Sequence, residues 1–342
     1  MSIVARLAGE KGLQIVKPAA LTVRRVRRGK GFGFVLASGA PLRDPREIAR
    51  LKALAVPPAY TEVRFAADPG FHLQAVGKDA AGRLQYRYHP RWTEVREALK
   101  ARRLAGLAAS LPTIRRAVAR RLAGPDLDRT TVVAAVVELV SLTAIRAGGE
   151  SYAREHGTRG AATLLKSNVR VSGRDRVTLS FRAKGGKRIV KEVRSRRLCA
   201  AVTRLSALPG PRLFQWHDGE TCHAVRAAEV NAYLKEVSGK RISLKDFRTL
   251  VASARALEAL SATEPAASER QRRRQVRETV VGIAEELANT PTVCRTSYVH
   301  EAVVTAFESG ALKRPALRKG RSVVARAAAL ARIVARHGGE RS

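Results

Sequence analysis

The feature that most constrains the fold of this chain is a change in sequence period close to residue 90. Before it, short apolar runs at residues 61–65, 72–77 and 83–88 are separated by turn-forming residues, a pattern typical of β-strands. From Arg91 onward the apolar residues recur at helical spacing. With 342 residues, the chain is also long for one hydrophobic core. We therefore predict an α+β protein: a small β-rich domain at residues 1–90 and a larger, mainly helical domain with a three-stranded sheet at residues 91–342.

The first domain should contain one helix among its strands. Asp44 is followed by Pro45 and Glu47, which predicts a helix that begins with a capping box and ends at Pro57-Pro58. The segment Lys30-Gly-Phe-Gly-Phe-Val35 resembles the aromatic strand motif of RNA-recognition domains, but only 29 residues precede it, too few for the elements that such a domain needs there. An ordinary strand is favoured. The segment also lacks the Gly-Lys-Ser/Thr ending of a nucleotide-binding loop, so it does not imply ATP.

The second domain should begin with two basic helical runs, at residues 93–107 and 113–122, with Arg115 and Arg116 on the second. An apolar helix at residues 131–147 should be buried and should hold Arg146 in its last turn, before Gly148-Gly149. Strands at residues 169–171, 176–181 and 188–193 should form a meander with Lys184 at its second hairpin tip. Further helices are predicted at residues 227–237, from a Ser243/Asp246 capping box that precedes Arg248, and at residues 322–337.

The charge balance points to a polyanionic partner. The chain has 65 Lys and Arg against 29 Asp and Glu, a formal net charge of +36. This excess is far larger than solubility requires, so nucleic acid is the first candidate and an anionic membrane surface the second. No apolar run approaches the roughly 18 residues that span a bilayer.

The remaining composition argues against disulfide and metal chemistry. The three cysteines, Cys199, Cys222 and Cys294, contain no CxxC pair, and Cys222 with His223 lacks further ligands for a zinc site. The first residues, Met1-Ser-Ile-Val-Ala-Arg, lack the apolar stretch of a secretory signal. We therefore expect a cytoplasmic, nucleoid-associated protein without a metal or other cofactor.

Four residues in separate segments suggest chemistry on a phosphate. Tyr298 follows Arg146, Lys184 and Arg248 along the chain. A tyrosine phenol has a pKa near ~10 and is a poor nucleophile at neutral pH, so its attack on phosphorus needs fixed cations that stabilise the developing charge. Singly, each residue also has a structural explanation, as a helix cap, a solvated turn or a core aromatic.

Their local contexts resemble the type IB DNA topoisomerases of compact bacterial and poxvirus type. The resembling segments span most of the chain: Val56-Pro-Pro-Ala-Tyr60, His72-Leu-Gln-Ala-Val-Gly-Lys-Asp79, Gln85-Tyr-Arg-Tyr-His-Pro-Arg-Trp92, Ile145-Arg-Ala-Gly-Gly-Glu150, Phe181-Arg-Ala-Lys-Gly-Gly-Lys187, Lys245-Asp-Phe-Arg-Thr249 and residues 289–300. The resemblance implies Tyr298 as nucleophile, Arg146 and Arg248 on the non-bridging phosphate oxygens, and Lys184 as the acid for the leaving 5′-oxygen. It also implies a monomer whose two domains close around duplex DNA and relax supercoils without ATP or Mg²⁺.

Two departures bear on the assignment. Asn289 stands nine residues before Tyr298, where many family members have histidine. An amide can donate a hydrogen bond to phosphate but cannot carry a proton, so Asn289 should hold the transition state. Ala183 precedes Lys184 where glycine is more usual, so Lys187 in the same loop stays open as the acid.

The resemblance also places Gln85, Tyr86 and Tyr88 at the DNA surface, and the basic helix adds Arg115 and Arg116. We expect only one of the two tyrosines there and the other in the core. Two other functions remain open. A tyrosine recombinase would favour His-x-x-Arg where this chain has Lys245-Asp-Phe-Arg248, and a DNA-binding protein without enzymatic activity would explain the charge alone.

Overall fold

The protein is an α+β structure of two compact units, as the sequence predicts. The computed structural model describes residues 2–29, 31–312 and 322–337. One unit comprises Met1–Leu99 and the other Lys100–Ser342. Among the described residues, each unit contains five strands, and the second contains most of the helices.

An antiparallel sheet of five strands forms the first unit, in the order β2-β1-β3-β4-β5. Its elements are α1 (Ile3–Gly9), β1 (Val23–Arg28), β2 (Gly31–Val35), α2 (Pro45–Ala53), β3 (Thr61–Phe65), β4 (Leu73–Lys78) and β5 (Leu84–Tyr88). The phenylalanine-glycine segment is thus an ordinary strand, β2, while Lys30 before it lies outside the described residues. The predicted strands are confirmed to within a residue or two.

The helix predicted to begin at Asp44 is confirmed, but two details were wrong. The Asp44 side chain accepts from the backbone N–H of Arg46 and Pro45 is the first helical residue. Glu47 does not complete a capping box, because its carboxylate binds Arg50, 2.7 Å away. Arg50 also donates to Gln74 and to the Ala66 carbonyl, which ties α2 to the sheet. The helix ends at Ala53, before the two prolines.

The second unit begins within a single long helix, α3 (Trp92–Ala123), where the sequence predicted two runs. Pro112 lies inside it and removes one helical hydrogen bond. Leu104, Leu107, Leu111 and Ile114 are nevertheless all buried, so the apolar stripe continues across the proline. Burying such side chains is worth about 1.5–3 kcal/mol each, which outweighs a proline cost of about 3 kcal/mol.

The other elements of this unit surround one large core. They are α4 (Arg129–Thr143), α5 (Glu150–His156), β6 (Val169–Ser172), β7 (Arg176–Arg182), β8 (Arg188–Arg194), α6 (Arg196–Ala207), β9 (Gln215–His217), β10 (Cys222–Ala224), α7 (Ala227–Ser238), α8 (Leu244–Ser261), α9 (Glu269–Glu286), α10 (Pro291–Ser297), α11 (Glu301–Glu308) and α12 (Val323–His337). The predicted meander is the sheet β6-β7-β8. The predicted helices at residues 227–237 and 322–337 are confirmed as α7 and α12.

The apolar helix α4 is buried on all sides, but it ends earlier than predicted. Its last helical residue is Thr143, and Ala144 turns into the left-handed region with φ 52°. Arg146 therefore lies beyond the helix, not in its last turn. The chain at Arg146 is held instead by a backbone hydrogen bond from Ala161 to the Arg146 carbonyl.

Two glycines allow this turn to form. Gly148 has φ +86°, and a Cβ there would lie 2.7 Å from Thr163 Oγ1. A Cβ on Gly160 would lie 2.5 Å from the backbone nitrogen of Gly148. Only glycine fits where the two backbones approach this closely, so the pair fixes the path of the segment that carries Arg146.

Candidate active site

Tyr298 and Arg248 lie together inside the second unit. The capping box of Ser243 and Asp246 opens α8 as predicted, and Arg248 lies in the first turns of that helix. Tyr298 ends α10 and is only 8% exposed. The guanidinium carbon of Arg248, itself 3% exposed, lies 4.8 Å from the centre of the Tyr298 ring.

Arg248 is fixed by the ends of two other helices. One terminal nitrogen donates to the Ala144 carbonyl, just after α4, and the other donates to the Leu287 carbonyl, just after α9, at 3.1 Å. Carbonyls at helix C-termini lack intrahelical partners, so they can accept these bonds. The Nε atom of Arg248 is buried, and no described residue accepts a hydrogen bond from it.

Arg146 and Asn289 form a second linked pair. Arg146 donates to the Asn289 side-chain oxygen and, at 3.2 Å, to the Ala288 carbonyl. Asn289 is 5% exposed, and its side-chain nitrogen Nδ2 is buried without an acceptor in the described part of the chain. The sequence therefore predicted two residues that the structure places in direct contact.

The two unpaired donors indicate where an anion would bind. Leaving a buried polar group without a partner costs about 1–3 kcal/mol, so such groups need an explanation. Arg248 donates to the Leu287 carbonyl, while Arg146 donates to the Ala288 carbonyl and to the Asn289 side-chain oxygen. Both unpaired donors therefore belong to residues held at the segment 287–289. Both unpaired donors lie in a cluster that also holds the positive charges of Arg146 and Arg248, a setting that favours an anion.

The positive charges of Arg146 and Arg248 also act on Tyr298, the candidate nucleophile. Burial would by itself raise the pKa of the Tyr298 phenol, but Arg248, Arg146 and Lys245 outweigh burial and lower that pKa from its ordinary value. The neighbouring thiol behaves differently, because burial raises the pKa of Cys294 to about 11. Tyr298 is therefore the better source of an anionic nucleophile in this cluster.

Sequence reasoning missed the residues that hold the Tyr298 backbone. Ser253, on α8, donates its hydroxyl to the Tyr298 carbonyl and accepts the backbone N–H of His300, both at 2.9 Å. Lys100 donates to the Val299 carbonyl at 2.9 Å. Ser253 is fully buried on α8, the helix that also carries Arg248, and a serine among the apolar residues of that helix was the available signal. Nothing local in the sequence marks Lys100.

The two lysines of the hairpin loop differ in their contacts. Lys184 lies at the exposed tip between β7 and β8, with its ammonium 5.4 Å from the centre of the Tyr152 ring on α5. Lys187 instead donates to the Asn289 carbonyl at 3.0 Å. The loop is thus joined to the Asn289 segment through Lys187, while the ammonium of Lys184 is exposed.

The predicted DNA contacts of the first unit lie on β5. Tyr86 and Tyr88 are 41% and 42% exposed, and their rings stack with centres 6.2 Å apart. The expectation that one of them is a core aromatic was wrong, because residues i and i+2 of a strand share a face. Gln85 lies on the other face, where its side-chain nitrogen donates to Asp79 at 2.9 Å.

The predicted contacts of the second unit, Arg115 and Arg116, lie on α3. Arg116 is exposed and donates to the Thr113 hydroxyl at 3.2 Å, while Arg115 is half-buried. Neither contacts the Tyr298 cluster through a hydrogen bond or ion pair among the described residues. Within the described ranges, no group of His, Cys, Asp or Glu is arranged to hold a metal ion. None of the described helices is long and apolar enough to cross a membrane.

Comparison with known proteins gives consistent results for both parts of the chain. A family model described as the catalytic core of eukaryotic DNA topoisomerase I matches residues 90–317. A model described as the N-terminal domain of bacterial DNA topoisomerase IB matches residues 31–79. DNA topoisomerase 1B of Acanthamoeba polyphaga mimivirus is 30% identical over 295 residues, which cover 84% of this chain and 88% of the viral protein.

Proposed function

This chain belongs to the type IB DNA topoisomerase family, and on that premise we propose that it relaxes supercoiled duplex DNA by cutting, swivelling and rejoining one strand. The proposed intermediate joins Tyr298 to the 3′-phosphate of the cut strand. One observation supports this above all: two buried donors, Arg248 Nε and Asn289 Nδ2, lack acceptors in the cluster that contains Tyr298.

In the proposed first step, the Tyr298 oxygen attacks the phosphorus of one phosphodiester. A bond forms between phosphorus and the phenol oxygen, the bond to the 5′-oxygen breaks, and the phenol proton passes to solvent. The lowered pKa of Tyr298 supports this step, because it increases the fraction of phenolate at a given pH.

The non-bridging oxygens would be held by Arg146, Arg248 and Asn289. Arg248 Nε and Asn289 Nδ2 would each gain the acceptor they lack, and the two guanidinium groups would offset the developing charge. Arg146 and Arg248 are held by backbone carbonyls, and the Asn289 side chain is held by Arg146, before DNA binds, so little reorganisation is needed during the reaction.

The leaving 5′-oxygen needs a proton, and Lys184 is the proposed donor. Among the described residues, the ammonium of Lys184 forms only a ring contact, with Tyr152, whereas that of Lys187 donates to the Asn289 carbonyl. This difference favours Lys184 over Lys187. The reverse attack by the 5′-hydroxyl would then rejoin the strand. Because the phosphotyrosine conserves the bond energy, no ATP would be consumed, and because Arg146, Arg248 and Asn289 would hold the phosphate, no Mg²⁺ would be required.

We assign residues 1–90 as the DNA-capping domain and residues 91–342 as the catalytic domain of a monomer acting in the cytoplasm on nucleoid DNA. The exposed, stacked Tyr86 and Tyr88 support a DNA contact for the first domain, whereas Gln85 lies on the opposite face of β5 and donates to Asp79. The net charge of +36 supports binding of the second domain along the duplex, with Arg115 and Arg116 among its phosphate contacts.

The test is relaxation of a supercoiled plasmid in EDTA without ATP. We expect activity in the unmodified protein and none in Tyr298→Phe, which removes only the nucleophilic oxygen. Tyr233→Phe is the matched control, because Tyr233 is also 8% exposed but lies on α7, and it should relax DNA normally. Activity in Tyr298→Phe would refute the assignment. Strand exchange between two duplexes without relaxation would instead indicate a recombinase.

A further inference from the structure

Two alanines of the second unit have a left-handed backbone, which is unusual for residues other than glycine. Ala144, with φ 52°, follows α4, and Ala288, with φ 50°, comes shortly after α9. Among the described residues of this unit, no other residue except glycine has a positive φ. Such a backbone is strained and persists only where surrounding contacts hold it, and strain of this kind often lies at functional sites.

Each of these alanines offers its carbonyl to one arginine of the candidate site. The Ala144 carbonyl accepts a hydrogen bond from Arg248, and the Ala288 carbonyl accepts one from Arg146 at 3.2 Å. The two left-handed turns therefore determine where both guanidinium groups lie. A shift of the turn at Ala144 would move Arg248 relative to the Tyr298 ring.

Two lysines of the β7-β8 hairpin hold the peptide groups beside these turns. Lys191, on β8, donates to the Thr143 carbonyl at 2.6 Å, one residue before the first turn. Lys187, just before β8, donates to the Asn289 carbonyl at 3.0 Å, one residue after the second turn. The hairpin thus supports both turns through backbone carbonyls.

The end of α4 has no cation of its own. Its last turn contains no basic residue, although the carbonyls at a helix C-terminus carry a partial negative charge that favours a cation. Lys191 supplies this cation from the sheet. Burial is the main cause that lowers the pKa of the Lys191 ammonium, while Glu286 opposes this shift and Arg248 adds to it. Keeping a charged amine here is unfavourable in itself, so its bond to Thr143 must offset that cost.

We propose that Lys191 is a positioning residue, which holds the left-handed turn at Ala144 and thereby places the guanidinium of Arg248. Lys187 plays the corresponding part for the turn at residue 288. Lys191 would act through Arg248 and would not contact DNA. That Arg248 serves cleavage rests on the proposed function, whereas the contacts of Lys191 do not.

The first test compares single-turnover cleavage and DNA affinity in variants of Lys191. Lys191→Met removes the ammonium and keeps most of the side-chain length, while Lys191→Arg keeps a cation that can donate to a carbonyl. Lys166→Met is the matched control, because Lys166 is also half-buried and donates to the Leu208 carbonyl just after α6. Thermal melting checks each fold, and Lys191→Gln, which is too short to reach Thr143, serves if the methionine variant does not fold.

Lys191→Met should slow cleavage by about 10²-fold, the cost of misplacing a reacting group by about 1 Å, with DNA affinity nearly unchanged. Lys191→Arg and Lys166→Met should cleave within about tenfold of the unmodified protein. Adding Ala144→Gly to Lys191→Met should restore much of the rate, because glycine adopts the left-handed turn without strain. Normal cleavage by Lys191→Met, or a defect that Ala144→Gly does not relieve, would overturn the proposal.

A second measurement needs no DNA, so it separates this proposal from the proposed function. The Tyr298 phenol is titrated by NMR in protein with isotope-labelled tyrosine, and its signal is the one that Tyr298→Phe removes. Because Arg248 lowers the pKa of Tyr298, displacing Arg248 in Lys191→Met should raise that pKa towards its ordinary value near ~10. Lys166→Met should leave it unchanged. An equal Tyr298 pKa in Lys191→Met and the unmodified protein would overturn the proposal, whether or not the protein relaxes DNA.

Discussion

Asn289 provides the sharpest test of how the site binds phosphate, because its two polar side-chain atoms have separate roles. Its oxygen accepts from Arg146, while its Nδ2 is buried and unpaired. Asn289→Asp keeps an acceptor for Arg146 but replaces the free donor with a charged oxygen. Asn289→Ala removes both atoms, and Asn289→His restores a ring N–H donor.

The magnitudes follow from the loss of one donor and the gain of one charge. Losing a single oxyanion donor costs about 10²–10³ in rate, so Asn289→Ala should cleave at least that much more slowly. In Asn289→Asp, two unit charges about 4 Å apart at an effective dielectric constant near 20 repel by about 4 kcal/mol. This repulsion lowers the cleavage rate by a further factor of about 10³, so Asn289→Asp should be slower by about 10⁵-fold or more. Asn289→His should remain within about tenfold of the unmodified protein, below the cost of a lost donor.

The assay is single-turnover cleavage of an end-labelled duplex, with the covalent product resolved by gel. Asn231→Asp is the matched control, because Asn231 also accepts a hydrogen bond, from the Leu244 backbone, and lies outside the cluster. It should cleave at nearly the normal rate. If Asn289→Asp cleaved within tenfold of the unmodified protein, Nδ2 would not face the phosphate and the reasoning would fail.

Three further outcomes are expected. Lys184→Ala should fail on normal DNA but cleave a 5′-bridging phosphorothiolate at nearly the normal rate, since a sulfur leaving group needs no proton. Lys187→Ala should be impaired equally on both substrates. The reverse pattern would make Lys187 the acid. Arg248→Ala should slow single-turnover cleavage by about 10²–10³-fold or more, and a loss below tenfold would make Arg248 structural. Burial lowers the pKa of His300 from 6.5 to about 4, so on acidification the unfolded chain takes up a proton before the folded protein does. The stability that the neutral imidazole contributes is therefore fully present above pH 6.5 and is lost as the pH falls towards 4. The difference in unfolding free energy between the unmodified protein and His300→Gln, from urea titrations, should shrink by about 3 kcal/mol over that window, and a constant difference would contradict this.

The sequence predicted the elements of the fold well where local signals are strong. Strands bounded by turn residues formed close to their predicted bounds, and the helices opened by Ser243 or Asp44 began where they were predicted to begin. The errors arose where packing overrides local preference. Pro112 does not interrupt α3 because its flanking leucines are buried together, and α4 stops at Thr143 because Ala144 adopts a left-handed turn that no sequence pattern marked.

The candidate site was predictable in its members but not in its geometry. The sequence predicted Tyr298, Arg146, Arg248 and Asn289 as site residues, and the structure brings these four into one cluster, while their catalytic roles stay predictions. The unpaired donors and the role of Ser253 depend on contacts between helices far apart in the chain. The hairpin loop shows the same limit, because spacing alone could not tell which lysine ammonium is occupied.

The central claim is that Tyr298 forms the covalent link to DNA. Its most direct test is to trap the adduct on a labelled oligonucleotide, digest the protein and identify the modified residue by mass spectrometry. The account predicts a nucleotide joined through its 3′-phosphate to Tyr298, with a free 5′-hydroxyl on the other fragment. Attachment to another residue, such as Tyr152 or Tyr233, or linkage through a 5′-phosphate, would contradict it.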